Sequence, residues 1–222
     1  MHPALNAISD QGPGFAYAPQ AVLEDRISNA LVQTNLAFLE LLVARHARAP
    51  GVPVLGLAPA TAAGLAQLDA RGREAAAGCP YTVFNLGFED GSFWRGFVLA
   101  PRAPATGGAG DEAAFARTAA FLAWHLVQGG DLTATLVLGM TSEALQAWRA
   151  LPLSALDRVA LAGRARLEAR WGRHRRFWPK LLAAAASGRN AELAAVRMLG
   201  LQLLAAGGIV SGPYAPGRSA GD

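Results

Sequence analysis

The chain has 222 residues, of which 52% are hydrophobic and 16% are charged, so it is long enough to bury a substantial core. No apolar run approaches the roughly 18 to 20 uninterrupted residues of a membrane-spanning helix, and the N-terminus lacks the pattern of a secretory signal. We therefore expect a cytoplasmic protein with no membrane partner. The single cysteine, Cys79, excludes an internal disulfide.

The first part of the chain predicts a helical module over residues 21–99. Residues 1–20, rich in proline and glycine, predict an irregular lead-in. Apolar residues at helical spacing then predict a long helix from Leu23 to Arg48. Pro59-Ala60-Thr61 begins a second, shorter helix, because proline in the first turn loses no needed hydrogen bond.

Aromatic and β-branched residues are concentrated in the segments Tyr81–Phe88 and Ser92–Leu99. Glu89-Asp90-Gly91 lies between them, so the pattern predicts a small β-hairpin at the end of the first module. Exposed aromatic residues are enriched at protein interfaces. We therefore expect a partner-binding surface on the hairpin, formed by Phe84, Phe88, Phe93, Trp94 and Phe97.

A second helical module is predicted over residues 112–163, after a linker at residues 100–111 that is rich in glycine and proline. Its first helix is expected from about Glu112 to Gly129, and the next from Leu132 to Leu138. Another helix begins at Thr141-Ser142-Glu143, where a hydroxyl can accept hydrogen bonds from the free amides. Helix pairs of this kind also occur in helix-turn-helix units, although the spacing is not specific for one.

The two modules contain similar sequences at an offset of 83 residues. Residues 36–68 and 119–151 share seven identities, all at apolar or glycine positions. Their clustering favours a duplication, and the alternative is two unrelated amphipathic helix pairs. Two modules packed about a pseudo-twofold axis would reproduce within one chain an interface that otherwise needs a dimer.

A basic C-terminal helical extension is predicted over residues 164–206, with helices at Phe177–Ala186 and Asn190–Ala206, followed by a disordered tail at 207–222. Between Arg158 and Lys180 there are eight basic residues and one acidic residue, a net charge of +7, so the rest of the chain carries −3. Clustered cations attract anionic partners, and arginines neutralise phosphates. The predicted nucleic-acid-binding residues are Arg164, Arg166, Arg170, Arg173, His174, Arg175, Arg176 and Lys180.

Helical phase would place Arg166, Arg170 and Arg173 on one side of this extension, with Trp171, Phe177 or Trp178 available to stack on bases. The alternatives are a solvated helix face and a binding site for an acidic protein. No nucleotide-binding, hydrolase or metal-binding motif occurs. We therefore expect no catalytic residue, no metal ligand and no cofactor, and a protein that is not an enzyme.

The second module carries a pattern of small and apolar residues, which includes Leu122-Ala123, Leu126-Val127, Asp131, Leu138-Gly139-Met140, Glu143, Leu151 and Leu153. This pattern resembles the flagellar transcriptional regulator FlhD, a small all-helical bacterial protein that acts with FlhC. In the first module, Asn35–Leu39, Leu55-Gly56-Leu57 and Leu65–Leu68 resemble the same family. The resemblance covers about half of the chain, and the family has one module where this chain has two.

The resemblance implies a mainly α protein with two FlhD-like modules. It also implies a DNA-binding transcriptional activator of flagellum biogenesis that works with an FlhC-like partner protein, and leaves a homo-oligomer as an open alternative. The rival hypothesis is an adaptor or assembly chaperone that does not bind DNA and acts through protein-protein contacts at the aromatic hairpin. Salt-dependent DNA binding distinguishes the two hypotheses.

Overall fold

The computed structural model describes residues 18–100 and 110–210, with side chains described from 25 to 207 within those ranges. The described residues are mostly helical, which confirms a mainly α fold. The first five helices are α1 (Ala18–Arg48), α2 (Pro59–Ala66), α3 (Ala70–Ala77), α4 (Gly91–Leu99) and α5 (Asp111–Gly129). They are followed by α6 (Asp131–Leu138), α7 (Ser142–Arg149), α8 (Leu156–Arg164), α9 (Phe177–Ser187) and α10 (Asn190–Val210), and the strands are β1 (Phe84–Asn85) and β2 (Glu168–Ala169).

Helix α1 is a core helix. By length and a mean hydropathy of 1.4, its segment Asp25–Arg48 could cross a membrane. Its apolar stripe is instead covered by protein, since Phe38, Leu39 and Leu42 are fully buried and the helix packs against α2, α3 and α5. This is the arrangement of an amphipathic helix with one face against the core, since 39% of its apolar window is buried.

A buried amide connects α1 to the segment before β1. Asn35 is fully buried, and its Nδ2 donates to the carbonyl oxygens of Ala77, at 3.0 Å, and Tyr81, at 2.9 Å. Its Oδ1 accepts from the amide of Val83 at 3.0 Å. Because a buried amide is costly unless its hydrogen bonds are made, Asn35 holds the chain at Ala77–Val83 in one position on α1.

The predicted β-hairpin is wrong. Phe84–Asn85 pairs in antiparallel fashion with Glu168–Ala169, 84 residues away, and the second predicted strand is helix α4. The residue responsible is Asp90, whose Oδ1 accepts from the amide of Phe93 at 2.9 Å. Glu89-Asp90-Gly91 therefore caps a helix, where the sequence suggested a two-strand turn.

The repeat predicted at an offset of 83 has a structural counterpart in its later part. Helices α2 and α7 are each eight residues long and begin and end exactly 83 residues apart. Each follows a glycine in the left-handed conformation, Gly56 at φ +80° and Gly139 at φ +69°. Thr141 caps α7 by accepting from the amide of Ala144 at 3.3 Å, as expected.

In the earlier part of the alignment, aligned residues of α1 and α5 differ in their burial. Phe38 on α1 is fully buried, whereas its sequence counterpart Phe121 on α5 is 56% exposed. The two long helices therefore present different faces to the core, although their sequences can be aligned without a gap.

Residues 18–100, the first half of the described chain, and residues 110–210, the second half, share one core. Helix α4, from the first half, packs against α7, and α9, from the second half, packs against α2 and α3. The buried apolar residues form one cluster that extends across both halves. Residues 21–99 and 112–163 are thus not two independently packed units.

Several predicted boundaries need correction. Helix α10 continues to Val210, so the predicted disordered tail begins within a helix, and residues 211–222 lie outside the described part of the chain. Residues 1–17 of the lead-in and 101–109 of the linker also lie outside it. Helix α3 was not predicted from the sequence.

Candidate nucleic-acid interface

The basic segment after α8 is not a continuous helix. Helix α8 ends at Arg164, the chain forms β2, and residues 170–176 form a turn that leads into α9. Trp171 lies at φ +53°, a left-handed conformation that no helix continues through. Its ring packs against Tyr81, with ring centroids 5.3 Å apart, and Phe177, at 4.7 Å. The predicted helical phase of Arg166, Arg170 and Arg173 is therefore wrong.

Three of the predicted DNA-binding arginines are occupied by contacts within the protein. The Arg164 guanidinium lies 3.6 Å from the Glu112 carboxylate. Arg166 donates to Asp90 at 2.9 Å and lies over the ring of Phe93, 3.9 Å from its centroid. Arg170 is 6% exposed and donates to the carbonyl of Leu138. The contact of Arg166 with Asp90 joins the two halves, whereas the contacts of Arg164 and Arg170 lie within the second half. All three guanidinium groups are thus engaged by groups of the protein itself.

Four other cations form the basic surface that the structure leaves open. Arg173, Arg175, Arg176 and Lys180 are exposed. None of the four forms an ion pair with a residue in the described ranges 18–100 and 110–210. They lie at and just before the N-terminus of α9, whose first turn has no acidic residue. The positive end of the helix dipole adds to their charge, so this region favours an anion.

His174, the remaining predicted contact, has a structural role in this turn. It is half-buried, and its Nδ1 accepts from the amides of Phe177, at 3.1 Å, and Arg176, at 3.3 Å. The imidazole therefore caps α9 and orients the basic turn. We call Arg173, Arg175, Arg176 and Lys180 the basic surface from here on.

The basic surface has a counterpart in the first half, at an offset of 84 residues. Gly87, at φ +74°, corresponds to Trp171, at φ +53°. The cap from Asp90 Oδ1 to the Phe93 amide corresponds to the cap from His174 Nδ1 to the Phe177 amide. The indole nitrogen of Trp94 donates to Gly87 O at 2.7 Å, and that of Trp178 donates to Arg170 O at 2.9 Å, one position before the counterpart of Gly87.

The first-half segment builds this turn and helix without the cations. The positions that correspond to the four residues of the basic surface are Glu89, Gly91, Ser92 and Gly96. Since a left-handed residue, a side-chain acceptor for the phenylalanine amide and an indole hydrogen bond to the turn are all present there, this type of turn does not require positive charge. The cations of the second half are additions to a shared scaffold.

The aromatic residues predicted to bind a partner are mainly core residues. Phe84, Phe88 and Trp94 are fully buried, and Phe93 and Phe97 are half-buried. Trp94 contacts Trp148 on α7, with ring centroids 4.8 Å apart. The aromatic composition that suggested a docking surface thus reflects the packing of α4 on α7.

The aromatic residues of the basic segment are also unavailable for base stacking. Phe177 is fully buried and Trp178 is 1% exposed. Trp171 is half-buried between Tyr81 and Phe177. An interface at this place would therefore be electrostatic, with phosphate contacts as its main component.

Sequence reasoning missed Glu112 and Asp90, the carboxylates that engage Arg164 and Arg166. Asp90 carried a readable signal, because an aspartate three residues before an apolar helical residue is a common helix cap. Glu112 carried none, since its partners come from α1 and α8.

Searches against models of protein families, curated proteins and solved structures found no match for this chain.

Proposed function

We propose that the protein is a DNA-binding transcriptional regulator that contacts the phosphate backbone through the basic surface and acts with a partner protein. The observation that carries the proposal is the group of four exposed cations, Arg173, Arg175, Arg176 and Lys180, on a scaffold that forms elsewhere in the chain without them. The regulatory role and an FlhC-like partner rest on the resemblance of the helical modules to FlhD.

The charge distribution supports an interface rather than a uniformly basic molecule. The formal net charge is only +4, whereas the basic surface places four cations within eight residues. A local field of this kind steers polyanions to one side of a protein. Four side chains that bind phosphates give non-specific affinity and register, while sequence preference needs contacts to base edges. A partner protein is expected to supply those contacts.

The test is the salt dependence of DNA binding. Wild-type protein would be titrated against a fluorescent mixed-sequence duplex at several salt concentrations, with anisotropy as the readout. A variant with Arg173, Arg175, Arg176 and Lys180 all replaced by glutamine should lose about three to four units of the slope of log K against log salt, because each phosphate contact contributes about −0.9. Arg170 is left unchanged because it is buried.

A charge-matched control separates a local interface from net charge. Exposed cations elsewhere in the chain can be replaced by glutamine to reach the same formal net charge: Arg48, Arg71, Arg95 and Arg149. The proposal predicts that this control binds DNA nearly as tightly as wild type. Equal loss of affinity in both variants, or no salt-dependent binding by wild type, would contradict it.

The adaptor hypothesis has lost the observation that motivated it, because Phe84, Phe88 and Trp94 are fully buried. An acidic protein remains a competing ligand for the basic surface. An acidic polypeptide such as polyglutamate tests this alternative. If wild type does not bind DNA but does bind polyglutamate, and the fourfold replacement abolishes that binding, the surface serves a protein partner.

A further inference from the structure

A cavity of about 270 Å³ lies where the two halves meet, between the β1–β2 pair, the Gly139–Thr141 turn and the C-terminal part of α10. Its lining includes the polar residues Asn85, Glu89, Glu168 and Arg170 and the apolar residues Trp171 and Leu204. Binding pockets for drug-sized ligands usually have about 300 to 1,000 Å³. A ligand of this cavity would therefore be small.

The cavity contains a buried cation, Arg170, whose charged form the nearby carboxylate of Glu89 favours electrostatically without forming a direct ion pair. Arg170 is 6% exposed, and it forms no ion pair with a residue in the described part of the chain. Its Nη2 donates to the carbonyl of Leu138, whereas its Nη1 is buried and has no hydrogen-bond partner among the described residues. Burial lowers the pKa of Arg170 to about 10, so the group stays charged at neutral pH.

An unpaired buried charge is costly for folding, and neutral side chains of similar volume would fill the position without that cost. The counterpart of Arg170 in the first half, Leu86, is apolar and fully buried. The scaffold therefore does not need a cation at this place. A negatively charged ligand group beside Arg170 would supply the missing partner.

The other polar groups of the cavity limit the ligand further. Glu89 and Glu168 are exposed carboxylates at its edge, and the Asn85 amide donates to Glu89 at 3.0 Å. Two carboxylates disfavour a polyanion and favour a cationic group near the surface. The ring of Trp171 and the side chains of Leu203 and Leu204 supply an apolar wall.

We propose that this cavity binds a small zwitterion of the apolar α-amino acid class, with its carboxylate at Arg170, its ammonium group toward Glu89 and Glu168, and its side chain against Trp171, Leu203 and Leu204. This proposal does not depend on DNA binding, because none of the four residues of the basic surface lines the cavity. The two sites are connected only through the turn that contains Trp171.

The test is ligand-induced stabilisation of the full chain, followed by calorimetric titration. The probes are alanine, valine, leucine, methionine and phenylalanine, together with two analogues of leucine: 4-methylpentanoate, which lacks the ammonium group, and isoamylamine, which lacks the carboxylate. At least one amino acid should raise the melting temperature in a concentration-dependent way. For leucine, each analogue should bind about tenfold or more weakly, because each loses a charge-assisted contact.

Two variants locate the site. Glu168→Gln changes an exposed side chain and should weaken amino-acid binding about tenfold without changing the fold. Arg170→Met should abolish the ligand-induced shift while the unliganded protein melts no lower than wild type. Arg173→Met, in the same turn but exposed, is the matched control and should bind like wild type.

The proposal is overturned if no amino acid in the panel stabilises the wild type, or if the zwitterion and its analogues stabilise it equally. It is also overturned if the stabilisation is unchanged in Glu168→Gln and in Arg170→Met. If Arg170→Met does not fold, unchanged binding in Glu168→Gln is sufficient to reject the arrangement.

Discussion

The segments Gly87–Leu99 and Trp171–Ser187 use the same structural device for different purposes. Each has a left-handed residue, a side-chain cap three residues before a phenylalanine amide, and a tryptophan whose indole donates to the backbone of the turn. In the first segment the polar groups are satisfied inside the protein. In the second they are accompanied by four exposed cations.

The two capping residues, Asp90 and His174, differ in their contacts with the rest of the protein. Asp90 is held by its own helix and by Arg166 from the second half. His174 accepts only from the amides that follow it, and it carries no ion pair in the described part of the chain. The capped turn thus contributes to the fold in both segments, whereas the proposed DNA binding would depend on the four cations that only the second segment carries.

The largest effect is expected from removing either indole. Trp94→Ala and Trp178→Ala should each lower the free energy of unfolding by about 3–5 kcal/mol, because both side chains are buried and both donate a hydrogen bond. Urea denaturation of the two variants measures this. A cost below about 1 kcal/mol for one of them would show that the two segments are not structurally equivalent.

The next largest effect on stability is expected at Gly87, because of its left-handed backbone conformation. Gly87→Ala should destabilise the protein by about 1–2 kcal/mol, since the residue lies at φ +74° and a Cβ there would approach Arg166 Cδ to 2.9 Å. Gly129→Ala is the control, because a Cβ at that position meets nothing within 4 Å. Thermal unfolding should show the control at or above the stability of wild type, and equal destabilisation of both would refute the argument.

A smaller effect on stability, which depends on pH, is expected at the Asp90 cap. Hydrogen bonds from the Phe93 amide and the Ser92 hydroxyl, and the charge of Arg166, lower the pKa of Asp90 below its usual 3.8. The ionised carboxylate thus stabilises the folded state above about pH 4, and this contribution is lost as the pH falls through the lower, folded-state pKa.

Asp90→Asn should be less stable than wild type at neutral pH, and the difference should narrow as the pH falls below about 4. Urea midpoints measured from pH 7 to pH 3 check this. Asp25→Asn, at an exposed position, is the control and should follow the wild-type curve. A constant difference between Asp90→Asn and wild type at all pH values would contradict the assignment of Asp90 as an ionised cap.

The smallest effect on stability is expected from replacing the four cations of the basic surface, although this replacement should have the largest effect on the proposed DNA binding. Replacement of Arg173, Arg175, Arg176 and Lys180 by glutamine should change the free energy of unfolding by less than about 0.5 kcal/mol, since these side chains are exposed. Guanidinium or urea unfolding at moderate salt measures it. A loss of 2 kcal/mol or more would mean that the cations serve the fold.

Local signals in the sequence were sufficient to predict most of the helices. Pro59 at the start of α2 and Thr141 before α7 predict helix starts that the structure contains, because caps and first-turn prolines act within a few residues. The repeat around Gly56 and Gly139 was readable for the same reason, since both glycines adopt the left-handed conformation. The aromatic segment Ser92–Leu99 was predicted to be a strand but forms α4. The reason is that β-propensity mainly reflects side-chain packing, and here the packing is between α4 and α7.

The sequence by itself determined the helical class, the starts of α2 and α7 and the position of the basic segment, all of which depend on short-range chemistry. Only the tertiary structure decided which cations are exposed. Arg164, Arg166 and Arg170 are engaged by groups that are distant in sequence, whereas Arg173, Arg175 and Arg176 follow immediately and remain open. Arginines in one run look alike in sequence, and contacts with residues that are distant along the chain are the physical reason that they differ.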